Sequence, residues 1–339
     1  MSNRTIDFFS SFGMMLVGVG LVFWGTVRAA GIPERPPGAA AAAPRLALAS
    51  PLVAEDKIIA LPVSRPRPPQ PAAAPEAAPL FTAAAAVVVD DATEAVLYQQ
   101  DSGVVRPLAS LTKLMAALVL DELPWSDSST TVVMADDLDP NSHHLQRGER
   151  LTVKELWQVA LAGSSNSAIN ALVRVSGLPE EQLVARMNEQ ARARGLLSLQ
   201  FVEPTGLESG NIGSAQEAAQ LLKLALSRPR IKQALAKPQV ALSPVGGAPR
   251  EAWNTNWLLT GWVPHHFGAG AVIGKTGYIT DSGYNFAARI APPGEHAVRV
   301  VVLGAPTNEE RFTAARDLAA WALENFVWPD APARPAMKP

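Results

Sequence analysis

The chain contains no cysteine, which excludes disulfides, thiolate nucleophiles and cysteine-ligated metals. Neither sign of charge is in surplus: 29 Lys and Arg stand against 31 Asp and Glu, with no block of like charge. That balance lacks the electrostatic footprint of a nucleic-acid binder. Histidine is scarce. Four of the five stand as adjacent pairs, His143-His144 and His265-His266, and no H-E-x-x-H exists. The pairs are read as solvated loops, so no metal site and no cofactor is expected. There is no internal repeat. Two further absences divide the chain: no charge between Phe8 and Val27, and no aromatic residue between Trp24 and Phe81.

The uncharged run is what remains of the N-terminus once charge is removed: roughly 20 apolar residues, enough to cross about 30 Å of hydrocarbon. Arg4 precedes it and Arg28 follows. Val27-Arg28-Ala29 has the small residues of a signal-peptidase site, and the same run is long enough to persist as an anchor. Either fate exports the rest of the chain, so residues 1–30 are assigned to a signal peptide or membrane anchor. The predicted location is the periplasm, secreted or held to the inner membrane by residues 8–27. Residues 31–80 are dominated by Pro and Ala and cannot bury enough apolar surface to offset their entropy, which predicts a disordered linker. The ordered domain is expected over 81–329, and a Pro/Ala tail over 330–339.

Within that domain the patterning changes period. Ala86–Asp90 and Ala95–Tyr98 read as a hairpin, and 284–290 and 297–304 as paired strands across Pro292-Pro293-Gly294. A helix is predicted from about Ser110. Thr152-Val-Lys-Glu155 and Ser214-Ala-Gln-Glu217 are capping boxes that open two more, and Pro179 and Gly195 bracket another. A last amphipathic helix is predicted from about Asn308 to Phe326. Strands at both ends around a helical middle close only if the chain returns to one sheet with helices on its faces. The expected fold is therefore α+β in three layers.

Three short motifs carry chemistry. Ser110-Leu-Thr-Lys113 puts an alcohol and an amine three residues apart, neighbours on a helix surface. A lysine whose pKa is lowered by burial can take the serine proton, and a serine at a helix start has its own N–H near a developing oxyanion. Alone this is weak, since S-x-x-K arises about once by chance in a chain this long. Ser164-Ser165-Asn166 sits at a break between two core helices, where Ser164 can relay protons and Asn166 can bind a substrate amide. Lys275-Thr276-Gly277 follows Val272-Ile273-Gly274 and is placed on an edge strand lining a cleft. Lys275 and Thr276 there can hold a carboxylate, Gly277 admits substrate to the backbone, and the N–H of Tyr278 can donate to an oxyanion.

S-x-x-K, S-x-N and K-T-G in this order form the motif set of penicillin-binding proteins and serine β-lactamases. The chain resembles the D-alanyl-D-alanine carboxypeptidase family of low-molecular-mass penicillin-binding proteins over roughly residues 83–326. Pro107–Met115, Phe201-Val-Glu-Pro-Thr-Gly-Leu207 and Gly274–Tyr278 through Gly283–Phe286 carry the likeness. Within the family it is most similar to the D-alanyl-D-alanine endopeptidase branch. The resemblance implies the penicillin-binding-protein fold, an antiparallel sheet with helices on its faces and a helical subdomain. It implies Ser110 as acylated nucleophile, Lys113 as its base, and Ser164 and Lys275 as proton relay. It also implies Asn166 and Thr276 for substrate binding, and the N–H groups of Ser110 and Tyr278 as oxyanion hole. The implied partners are peptidoglycan stem peptides and, as covalent inhibitors, β-lactam antibiotics. The middle residue Ser165 departs from the Glu or Gly the motif leads one to expect.

Cleavage of D-alanyl cross-links is favoured over trimming of terminal D-alanine, because of the branch resemblance. A β-lactamase would need Glu-x-x-Leu-Asn after S-x-N. Glu203-Pro-Thr-Gly-Leu207 has no asparagine following, so Glu203 is read as structural. From another class, a non-catalytic wall-binding scaffold is disfavoured because every catalytic side chain is retained.

Overall fold

In the computed structural model residues 66–329 are described. The apolar N-terminal run, most of the Pro/Ala linker and the tail from residue 330 lie outside them. Among the described residues no helix is long and apolar enough to cross a membrane.

The frame is one five-stranded antiparallel sheet. Its strands are Ala85–Asp90 (β1), Val96–Gln100 (β2), Val272–Ile279 (β3), Gly283–Ile290 (β4) and Val298–Ala305 (β5), in the order β3-β4-β5-β1-β2. The expected hairpin is β1–β2, and the K-T-G segment lies on β3, an edge strand as predicted. Period-two alternation sorts the strand residues into two cores. Val87, Val89, Ala287, Val301 and Leu303 face one cluster; Ala86, Val88, Phe286, Ala288, Val300 and Val302 face the other.

The second cluster is closed by α8 (Glu310–Asn325), whose Phe312, Ala315, Leu318 and Ala319 are fully buried. Phe312 meets Phe286 edge-to-face at 4.9 Å; each buried ring contributes on the order of 2–3 kcal/mol of apolar burial. The first cluster is closed by the helical middle of the chain: α1 (Thr112–Asp121), α2 (Val153–Leu161), α3 (Asn166–Ser176), α4 (Glu180–Ala193), α5 (Ala215–Leu226) and α6 (Pro229–Leu235). A single turn, α7 (Trp257–Thr260), leads into β3. Helix, sheet, helix is the three-layer α+β arrangement that the patterning predicts.

The local signals behave unequally. Thr152 caps α2 with both halves of its box: Glu155 N–H donates to Thr152 Oγ1 at 3.1 Å, and Thr152 N–H to Glu155 Oε2 at 2.8 Å. Ser214 caps α5 through Glu217 N–H at 3.2 Å, but the Glu217 carboxylate does not return. It accepts from Ser198 N–H at 2.8 Å and Leu199 N–H at 3.1 Å, fastening a loop across the helix start. Tertiary donors outcompete the local one.

The expected start of order at residue 81 differs from what is observed. Gln70–Pro71 pairs antiparallel with Phe326–Val327. Ala72 N–H donates to Asn325 O at 2.8 Å, Glu76 N–H to Asn325 Oδ1 at 2.6 Å, and Trp321 Nε1–H to Glu76 O at 2.8 Å. A Pro/Ala segment has no core of its own, yet its backbone groups are satisfied by the end of α8. Proline is tolerated because this ribbon is all edge.

Candidate active site

Ser110 sits in a turn of 3₁₀ helix, Ala109–Leu111, that runs directly into α1. Lys113, on the first turn of α1, is fully buried. Its Nζ lies 2.8 Å from Ser110 Oγ, 2.5 Å from Asn166 Oδ1 and 2.5 Å from the carbonyl oxygen of Thr205. Three contacts suit an ammonium with three N–H groups. They suit a neutral amine equally: two N–H groups donate to the obligate acceptors Asn166 Oδ1 and Thr205 O, and the lone pair faces the serine hydroxyl. Burial lowers the Lys113 pKa from the ordinary lysine value to about 7, against a smaller upward pull from Glu203 and Asp139. Near neutrality the amine is thus poised between the two forms.

Lys275 is buried as well, on β3. Its Nζ donates to Ser164 Oγ at 2.6 Å and to Thr276 O at 2.8 Å. Its pKa falls well below the lysine range through burial first, then repulsion from Lys113 and Arg311. Thr276 Oγ1 lies 2.6 Å from Thr255 Oγ1. The three motifs, up to 165 residues apart in sequence, therefore converge on one cleft between β3, α1 and the start of α3.

Two non-glycine residues at this cleft adopt positive φ: Ala109 at 49° and Ser164 at 59°. Each costs on the order of 1–2 kcal/mol, and each immediately sets the direction of a hydroxyl. Ser165, the unexpected middle residue, is the N-cap of α3, its Oγ accepting from Ala168 N–H at 3.2 Å. Its hydroxyl also meets Ser142 Oγ at 2.8 Å.

Gly277 requires a correction of reason. A methyl group there would stand 2.7 Å from Leu108 O and 3.1 Å from Ser110 N. The missing side chain lets the nucleophile turn dock on β3, which sets the Ser110 N–H beside the strand that continues into Tyr278. Gly206 grips the same turn from the other side, where a methyl group would overlap Ala109 O. Tyr278 is half-exposed and its ring stacks on Tyr284 at 4.3 Å.

Several groups at the site carry no signal in the motifs. Asp139 accepts from Asn166 Nδ2, which orients the amide so that its oxygen meets Lys113. Arg311 of α8 donates to Gly277 O at 2.9 Å, and Asn285 Nδ2 to Pro107 O at 3.0 Å, bracing the strand and the turn. Burial lowers the Arg311 pKa to about 10. Glu203 is occupied within its own loop. It accepts from Thr205 N–H and Oγ1–H at 2.6 Å each, and from Gly206 N–H and Asn211 Nδ2 at 2.5 Å. It thereby shapes the turn that presents Thr205 O to Lys113. His144, expected in a solvated loop, is instead half-buried, with its Nδ1 unpaired and its pKa lowered by burial and by Arg250.

The chain is similar to several known proteins. Over 211 residues the chain is 32% identical to the D-alanyl-D-alanine endopeptidase of Haemophilus influenzae, covering 61% of this chain and 70% of that one. It is 30% identical over 253 residues to a D-alanyl-D-alanine carboxypeptidase of Bacillus subtilis, covering 72% of this chain and 63% of the relative. The match to that second relative thus spans less than two thirds of its length. A crystal structure of a D-alanyl-D-alanine carboxypeptidase from Mycobacterium tuberculosis superimposes with a TM-score of 0.66 at 25% identity, over 78% of this chain and 98% of that one. A Streptomyces DD-transpeptidase does so with 0.66 at 20% identity, a likeness of fold alone. The family described as D-alanyl-D-alanine carboxypeptidase matches residues 72–307, and to that family this chain belongs.

Proposed function

We propose that this protein is a penicillin-sensitive serine DD-peptidase that cuts D-alanyl cross-links between peptidoglycan stem peptides through an acyl-enzyme on Ser110. The observation that carries this reading is the seat of Lys113. Its two obligate acceptors leave the lone pair of the neutral amine facing Ser110 Oγ at 2.8 Å. As Ser110 Oγ bonds to the D-alanyl carbonyl carbon, its proton passes to Lys113 Nζ. The carbonyl oxygen becomes an oxyanion, which the N–H groups of Ser110 and Tyr278 stabilise. When the C–N bond breaks, the leaving amine takes a proton from Ser164, held by Lys275 at 2.6 Å and resupplied from Lys113. Water then adds to the acyl carbon, the bond to Ser110 Oγ breaks, and the serine recovers its proton.

Asn166 and Thr276 bind the substrate amide and carboxylate in this reading, and a β-lactam enters the same cleft to acylate Ser110. The endopeptidase name of the Haemophilus relative favours cross-links over terminal D-alanine. The apolar segment 8–27 supports work outside the cytoplasm, in the periplasm or at the inner membrane. Mass spectrometry decides among these possibilities. The chain is incubated with a pentapeptide monomer and a cross-linked tetrapeptide dimer, with Ser110→Ala alongside. Conversion of dimer to monomers is expected. Loss of D-alanine from the pentapeptide alone makes the protein a carboxypeptidase. No change in either substrate overturns catalysis and leaves a wall-binding scaffold.

A further inference from the structure

From Ala252 to Gly274 the sequence has no Asp, Glu, Lys or Arg, yet it holds three of the eight tryptophans. Trp253 ends the ribbon strand Arg250–Trp253, Trp257 opens α7, and Trp262 follows it. The segment between them alternates: Asn254 and Asn256 are buried, Trp253 is exposed, and Thr255 and Trp257 are part-buried, Trp257 packing against the second core cluster. Thr255 belongs to the cleft, its hydroxyl 2.6 Å from Thr276 Oγ1 and its N–H 3.0 Å from the carbonyl of Ala162, two residues before Ser164. The exposed indole of Trp253 and the part-buried one of Trp257 thus flank a residue of the cleft rim. Trp262 joins them, 5.8 Å from Trp253 and 5.7 Å from Trp257, and Trp257 is stacked on Phe312 of α8 at 5.5 Å. Trp253 is 48% exposed and Trp262 54%. An aromatic face whose own segment carries no charge is left open to solvent beside the cleft.

We propose that this face is a saccharide subsite, on which the pyranose rings of the amino-sugar strand carrying the stem peptide stack. Sugar C–H groups meet the electron-rich faces of indoles, and such a ligand needs no countercharge, as the charge-free segment requires. Continuity with the cleft through Thr255 makes the occupant an extension of the substrate rather than a separate partner. The inference rests on the peptidoglycan reading above, so its test separates the two.

The full chain is compared with the Trp253→Ala/Trp262→Ala variant on a cross-linked dimer carrying its disaccharides and on the same dimer with sugars removed. KM is expected to rise about tenfold for the glycosylated substrate alone. Acylation by fluorescent penicillin should be unchanged in the variant. Tryptophan emission of Ser110→Ala should respond to oligosaccharides of N-acetylglucosamine, a readout independent of catalysis. An equal loss on both substrates assigns the face to the peptide and overturns the proposal. So does unchanged KM, or emission that responds to phospholipid vesicles or to self-association but not to saccharide. Failure of penicillin to label the wild-type chain would instead overturn the DD-peptidase reading, whatever the emission shows.

Discussion

Lys113 and Arg299 are both long cations with no exposed surface, yet their surroundings make opposite demands. Arg299, on β5, lies among anions: Glu94 accepts from its guanidinium at 2.5 Å, Asp91 stands 2.9 Å from Nε, and Ala219 O accepts at 2.7 Å. The Asp91 contact is an ion pair by distance rather than an aligned hydrogen bond, since Nε has no partner along its N–H direction. Lys113 touches only neutral oxygens, with Asp139 and Glu203 one step removed. A buried cation among carboxylates is fixed in its charge. One among amide and hydroxyl oxygens keeps its proton loosely, which is what a base requires.

The largest expected effect is on chemistry. Lys113→Met should slow acylation by penicillin about 10³- to 10⁴-fold, measured by stopped flow, while the thermal midpoint does not fall. A fall matching that of Arg299→Met would erase the distinction between the two cations. Arg299→Met should itself lower unfolding stability by about 3 kcal/mol, the low end for a broken buried pair because Lys223 and Arg289 still reach the carboxylates. Its acylation rate should stay within about twofold of wild type.

The two sites also respond to pH in opposite windows. The Lys113 pKa of about 7 predicts that acylation falls about tenfold per pH unit below neutrality and levels above it. Because that pKa is depressed relative to the unfolded chain, burial of Lys113 costs most below pH 7. Stability recovers as pH rises from 7 towards the ordinary lysine value. Glu94 does the reverse. Burial pushes its pKa up, but Arg299 and Lys223 outweigh this and hold it below the usual carboxylate value. Its contribution is present above that value and is lost in acid.

Asp139→Asn is a finer probe. It removes an upward pull on Lys113, so the acylation profile should move to lower pH with its plateau nearly kept; a profile that stays in place denies Asp139 an electrostatic role. Smallest of all, Thr152→Ala should cost about 1 kcal/mol in chemical denaturation and leave acylation untouched.

Ser110, Lys113, Ser164 and Lys275 are legible in the sequence because chemistry fixes their type and a helix or strand fixes their spacing. Asp139 and Arg311 are not, since each reaches the cleft from an element whose position depends on the finished fold. Thr205 acts through its carbonyl, which every residue has, so its identity says nothing. Gly277 is legible as a needed glycine but not for its reason: only the packed turn shows that Leu108 O would occupy the space of a side chain. The docked stretch 70–80 is hidden by composition, because proline-rich backbone reads as linker unless a partner is in view.

The ribbon of Gln70–Pro71 with Phe326–Val327 also brings the two ends of the folded unit into register. A joint of a few residues between 66 and 329 would close the unit into a ring, and the ring could be reopened at an exposed turn such as Gly246-Gly247. In such a circular permutant K-T-G would precede S-x-x-K along the chain while every distance in the cleft stayed as it is. Motif order would then be an accident of where the polypeptide happens to be cut, and a search that relied on it would miss a relative wired in another sequence.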